Sequence, residues 1–94
     1  MIKKMAKKRE RLEVIYDILS AIRSSNNSIK PTRLLYSSNL SPQMFKDYVL
    51  ELLEKKFIME NVEKERKTYS LTTKGYNFLE EYKVIVGFIE DFGL

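Results

Sequence analysis

The sequence contains no cysteine and no histidine. The first absence excludes disulfides, and the two together remove the ligands that zinc prefers, so neither a covalent staple nor a structural zinc site is expected. Nucleophile–base pairs for covalent catalysis are scarce for the same reason. Glycine is sparse too: Gly75, Gly87 and Gly93 stand alone, and no glycine-rich loop exists to cradle a phosphate. Glu80 and Glu81 are adjacent, so on a helix they point to different faces. No catalytic constellation emerges, and the expectation is a protein that is not an enzyme and needs no cofactor or metal. No apolar run approaches the ~18–20 residues of a membrane span. The charged residues 1–11 lead into no apolar run of the kind a secretory signal carries. A cytoplasmic, nucleoid-associated protein with no membrane partner and no evident small-molecule ligand is expected. There is no internal repeat and no low-complexity segment.

What is present is one domain's worth of chain. Ninety-four residues bury only roughly 60–65% of their unfolded surface, which makes for a modest core. With disulfides and zinc excluded, oligomerisation is the stabilising device that remains. The formal charge of +4 is unevenly placed. Residues 1–11 hold Lys3, Lys4, Lys7, Lys8, Arg9 and Arg11 against Glu10 alone, and the rest of the chain is close to neutral. A basic arm before a neutral domain suits phosphate contact, and it equally suits a solvated tail.

Apolar spacing lays out the elements. Leu12, Ile15, Ile18, Leu19 and Ile22 recur at three and four, the mark of one helical face, flanked by Val14 and Tyr16. The polar run Arg23-Ser24-Ser25-Asn26-Asn27-Ser28 stops that first helix. Ser28 is the expected cap of a short second helix, with Pro31 in its first turn, Leu34 and Leu35 as its apolar pair and an end near Asn39. Ser41-Pro42 restarts the chain as a third helix over residues 41–56. Phe45, Tyr48, Val49, Leu52 and Leu53 form its buried stripe, and Gln43, Lys46, Asp47, Leu50, Glu51 and Glu54 its outward face. Two short strands around a charged turn follow, and no Asn-Gly or Asp-Gly fixes the turn type. Thr72 caps a last helix in which Phe78, Tyr82, Ile85, Ile89 and Phe92 are spaced four, three, four, three. That is a heptad seam, with Leu79 and Val86 as a second ridge.

The order helix, helix, helix, hairpin, helix is that of a winged helix-turn-helix. A short second helix and tight polar turn prop a third helix that a duplex major groove can admit, and the hairpin is the wing. The sequence also resembles the small archaeal winged helix-turn-helix DNA-binding proteins that dimerise through a C-terminal antiparallel coiled-coil helix. Three stretches carry the likeness. They are Lys8-Arg9-Glu10-Arg11-Leu12-Glu13-Val14-Ile15; Asn39-Leu40-Ser41 with Phe45, Tyr48-Val49 and Leu52-Leu53-Glu54-Lys55-Lys56-Phe57-Ile58; and Tyr69-Ser70-Leu71-Thr72-Thr73-Lys74-Gly75-Tyr76-Asn77-Phe78-Leu79. The likeness departs at Lys56, where such proteins often carry glycine, and at Pro42, where an aromatic is common.

The resemblance implies a mainly α fold with a small β-hairpin (α-α-α-β-β-α). Residues 1–9 would be a basic arm, 10–72 the winged helix-turn-helix domain and 73–94 a dimerisation helix. It implies double-stranded DNA and a second copy of the chain as partners, and transcription regulation as the role. An architectural binder of low sequence specificity and a protein-docking module are the alternatives. By position, Ser41, Gln43, Met44, Lys46 and Asp47 would meet the groove, with Gln43 placed to read adenine and Lys46 to read guanine or hold a phosphate. Asp47 could accept from cytosine or pair with Lys46 or Gln43. Lys30, Thr32 and Arg33 would face a phosphate at the second helix's start, and Tyr36, Ser37, Ser38 and Asn39 could touch backbone oxygens. Lys7, Lys8, Arg9 and Arg11 would add the arm's contacts, and Lys64, Arg66 and Lys67 those of the wing over residues 62–67. Plain solvent-facing roles remain open for Gln43, Asp47 and the wing charges. Phe78, Tyr82, Ile85, Val86, Ile89 and Phe92 would form the dimer interface, with Tyr76 and Leu79 left to the local core.

Overall fold

In the computed structural model, residues 10–94 are described. Their elements are α1 (Arg11–Ser24), α2 (Pro31–Ser38), α3 (Pro42–Glu54), β1 (Ile58–Glu63), β2 (Arg66–Leu71) and α4 (Thr73–Asp91). The chain is mainly helical with one antiparallel hairpin, as the apolar spacing implied.

Local chemistry explains most boundaries. Ser41 caps α3: its Oγ accepts from the Met44 N–H at 3.2 Å, with Pro42 in the first turn. Thr72 caps α4 in the same way, accepting from the Gly75 N–H at 3.2 Å. Asn39 ends α2 in the left-handed region, φ 59°, which lets the chain turn sharply into α3. Ser28 does not cap α2. Lys30 holds the N-cap position without a side-chain bond, because the residue between them belongs to the sheet. The Ile29 N–H donates to the Tyr69 carbonyl at 3.1 Å and the Tyr69 N–H to the Ile29 carbonyl at 2.8 Å. That bridge adds a short third edge to the hairpin. The Leu71 N–H, donating to Asn27 Oδ1 at 2.7 Å, fixes its register from the α1–α2 loop.

The hairpin pairs Ile58 with Leu71 and, at its tip, Glu63 with Arg66. Its two-residue turn is Lys64-Glu65, with φ 50° and 65°. Positive φ at both central residues is the conformation of a type I′ turn, which matches the strands' twist without the Asn-Gly that usually supplies it.

The core lies where α1, α2, α3 and the sheet meet. Ile18, Leu19, Ile22, Leu34, Leu52, Ile58 and Leu79 are almost wholly enclosed. On α1 the buried positions are Val14, Ile15, Ile18, Leu19 and Ile22. Leu12, expected in this stripe, is exposed, and Val14, expected to flank it, is buried. The helix is rotated by part of a turn because α2 and α4 both pack on it.

The junction between α3 and α4 is tightly bonded. Lys56 turns the chain with φ 65°, a left-handed conformation that glycine adopts more readily. Thr72 Oγ1 donates to the Lys56 carbonyl at 2.5 Å, the Thr72 N–H donates to the Phe57 carbonyl at 3.1 Å, and Lys74 Nζ donates to the Lys55 carbonyl at 2.9 Å. Gly75 is buried so close to this corner that a Cβ would overlap the Phe57 carbonyl oxygen. The start of α4 thereby clamps the C-terminal end of α3.

Candidate nucleic-acid interface

α3 is held at both ends, by the Ser41 cap and by the clamp from α4, and it turns Val49 and Leu52 into the core. What it presents outward is therefore fixed by the backbone. Ser41, Gln43, Met44, Lys46 and Asp47 are all exposed on its first two turns. Gln43 Nε2 donates to Asp47 Oδ1 at 3.1 Å, one helical turn apart. Of the partners open to Asp47, the structure selects Gln43. Bidentate reading of adenine by Gln43 would first require that bond to be given up.

The second half of α3 is acidic: Glu54 is exposed, and Glu51 is held by cations. Glu51 Oε2 accepts from Lys55 Nζ at 2.8 Å and from Arg11 Nη2, and these two cations hold its carboxyl below the usual carboxylate range. Glu51 raises the Arg11 guanidinium in turn. Arg11 also lies 5.8 Å over the Tyr48 ring. Arg11, expected among the DNA contacts, is thus tied to α3 as a clamp between α1 and the third helix.

The wing sorts its cations. Lys67 Nζ pairs with Glu60 Oε2 at 3.1 Å, which raises its ammonium. Lys64 and Arg66 at the tip are exposed and make no ion pair among the described residues. Lys30, Thr32 and Arg33 are exposed at the start of α2, and Lys30 and Arg33 border a polar hollow of about 480 Å³ with Ser24, Ser25 and Asn26. Tyr36, Ser37 and Asn39 are exposed. Ser38 is not: it is wholly buried, donating to the Leu35 carbonyl at 2.7 Å, so no backbone oxygen of a duplex can reach it. Lys7, Lys8 and Arg9 lie outside the described residues.

The heptad seam of α4 divides between two surroundings. Phe78 and Tyr82, expected to face a second copy, pack within the chain. The Tyr82 ring stacks on Tyr16 of α1 at 4.6 Å, and Phe78 meets Phe57 edge-on at 5.8 Å. Burial, with Glu13 and Asp17 nearby, pushes the Tyr82 hydroxyl up. Val86 is half-buried on the same flank, in a groove against α1. Tyr76, assigned to the local core, is instead exposed beneath the Arg23 guanidinium, 5.6 Å from its ring. Beyond Tyr82 only Val86 and Gly87 stay partly buried, and the other residues are exposed. Val84 is 71% exposed, Ile85 55%, Phe88 56%, Ile89 39% and Phe92 67%. Ile85, Phe88, Ile89 and Phe92, spaced three, one and three, share one face. Phe88, absent from the expected seam, belongs to this stripe, and its ring lies 4.8 Å from that of Phe92. Its spacing of three from Ile85 and four from Phe92 was the available signal.

Among the described residues no group of three or more acidic side chains is placed to hold a metal ion, and no helix is long and apolar enough to cross a membrane.

Comparison with known proteins agrees with this geometry. Residues 8–89 match the model of a winged helix-turn-helix family. The chain is 35% identical over 81 residues to an uncharacterized protein of Methanocaldococcus jannaschii, covering 83% of this chain and 34% of that protein. The chain thus spans about a third of that relative's length. In fold it is similar to Sso10a-2, a DNA-binding protein from Sulfolobus solfataricus, with a TM-score of 0.73 and 23% identity over 89% of this chain and 85% of that one.

Proposed function

Because the chain belongs to a winged helix-turn-helix family, we propose that it is a homodimeric double-stranded DNA-binding protein and a transcription regulator. In this reading the third helix, residues 41–56, enters the major groove, and the wing over residues 62–67 meets the flanking backbone. The observation that carries it is the pairing pattern of the charges. Arg11, Arg23, Lys55 and Lys67 are ion-paired within the chain, Arg11 and Lys55 sharing Glu51. Lys46 on α3, Lys64 and Arg66 on the wing tip and Lys30 and Arg33 on α2 are exposed without an ion-pair partner among the described residues. Of the eight cations without an ion pair among the described residues, these five sit on the elements that a winged helix-turn-helix presents to a duplex, while Lys56 and Lys74 lie at the α3–α4 junction and Lys83 on α4. Residues 75–94 carry a net charge of −3, which a phosphate backbone repels, and the same residues bear the apolar stripe. The reading accordingly gives residues 73–94 to self-association. A two-fold dimer would set its two α3 helices on one side of the duplex, spaced by the helical repeat of about 34 Å or a multiple of it. The likeness to a DNA-binding protein supports the same reading.

A competition titration of duplexes across salt concentrations tests it. Retention of one selected site over random duplex as salt rises supports a regulator. Equal loss of both supports an architectural binder. The acidic second half of α3 favours a competing role in protein docking, and no shift of any duplex at micromolar protein and low salt would select that role. Ile85→Asp should convert the dimer to a monomer in sedimentation; a dimer that survives it would place self-association elsewhere.

A further inference from the structure

The outward face of α3 is unusual in what it offers a groove. Its first-half amide and carboxylate, Gln43 and Asp47, are bonded to each other. Of its two second-half carboxylates, Glu51 is held by Arg11 and Lys55 and Glu54 is exposed one turn beyond Leu50. Two large apolar side chains stand in solvent on either side of that row, Leu50, 55% exposed, and Met44, 48% exposed, about 120° apart around the helix. Leu50 lies seven residues from Gln43, two turns along the same face and about 10.5 Å further down the axis. Lys46 lies one turn before it. Leu50 is outside the core cluster of the described residues, and the buried positions of α3 are Val49 and Leu52.

We infer that Leu50, with Met44, reads the C5-methyl groups of thymine in the major groove, so that the protein discriminates for thymine by apolar contact rather than by hydrogen bonds. The thymine methyl is the one apolar group that base edges show in that groove. A helix face whose Gln43 and Asp47 are bonded to each other and whose Glu51 is held by Arg11 and Lys55, with Leu50 exposed beside them, complements it. Lys46 supplies attraction to the adjacent backbone, and the wing tip's Lys64 and Arg66 extend that attraction. The inference rests on the DNA-binding reading above and names the base feature that α3 recognises.

The test uses the full chain and two 30-base-pair duplexes of alternating A·T sequence, one with thymine and one with deoxyuridine at every thymine position. Uracil pairs identically and differs only by the methyl. Wild type should bind the thymine duplex more tightly, by about fourfold for each methyl contacted. Leu50→Ala with Met44→Ala should bind both duplexes alike, because exposed alanines keep the helix while removing the contact. Equal affinity of wild type for the two duplexes would overturn the inference and leave DNA binding intact. Discrimination that persists in the double variant would overturn the assignment to these two residues. Absence of binding to either duplex, and to a G·C duplex of the same length, would overturn the DNA-binding reading itself.

Discussion

The two helical glycines of α4 should respond to the same substitution with opposite signs. At Gly87 a Cβ meets nothing within 4 Å, so Gly87→Ala adds helix propensity alone and should stabilise by about 0.5–1 kcal/mol. At Gly75 the same propensity gain is opposed by overlap with the Phe57 backbone carbonyl, which cannot swing aside as a side chain would. Overpacking of this kind costs about 1–3 kcal/mol. Relief of the overlap also displaces the neighbouring bonds, from Thr72 to the Lys56 and Phe57 carbonyls and from Lys74 to the Lys55 carbonyl. Each is worth about 1 kcal/mol. A net loss of about 2 kcal/mol is expected for Gly75→Ala. For a domain of this size that lowers Tm by about 8–16 °C. Thermal unfolding followed by far-UV circular dichroism, at one fixed protein concentration so that self-association does not confound the comparison, reads both variants. Gly75→Ala matching or exceeding wild type would refute the clamp between α3 and α4.

Three further outcomes follow from single contacts. Replacing Lys64-Glu65 with Asn-Gly should raise stability by about 1 kcal/mol in denaturant titration, because both positions hold positive φ. Asn27→Ala should cost about 2 kcal/mol by leaving the Leu71 N–H unpartnered and placing alanine at φ 59°; Asn27→Asp, which keeps the acceptor, should cost less by the same titration. Glu51, whose carboxyl is held low by Lys55 and Arg11, contributes stability that is present above the ordinary glutamate value of about 4.3 and is lost as pH falls through the lower folded value. Urea unfolding should therefore show Glu51→Gln weaker than wild type at pH 7 and equal to it near pH 2.

The elements set by short-range chemistry were legible in the sequence. Ser41-Pro42 and Thr72 announce helix starts because a hydroxyl three residues before a free N–H is a local bond. The element order followed from apolar spacing for the same reason. What depended on distant partners was not legible. Ser28 had the right chemistry for a cap, but Ile29 is claimed by Tyr69, forty residues on. Arg11 reads as part of a basic arm, and only the fold brings Glu51 beside it. Heptad spacing located the apolar face of α4 but could not divide it. Tyr16 and Phe57 claim Tyr82 and Phe78, which leaves the exposed stripe rotated toward Phe88. On α3 the bond between Gln43 and Asp47 was within reach, being one turn apart, and the consequence for Leu50 follows from it.

In the proposed arrangement α3 and the wing form the face that meets DNA while the exposed stripe of α4 faces a second copy. Amide chemical shifts of the full chain, followed while a duplex is added, test it most directly. Perturbations are expected at residues 41–50, 30–33 and 64–67, with residues 84–92 unmoved. Perturbations gathered on residues 84–92, or none at residues 41–50 and 64–67, would contradict it.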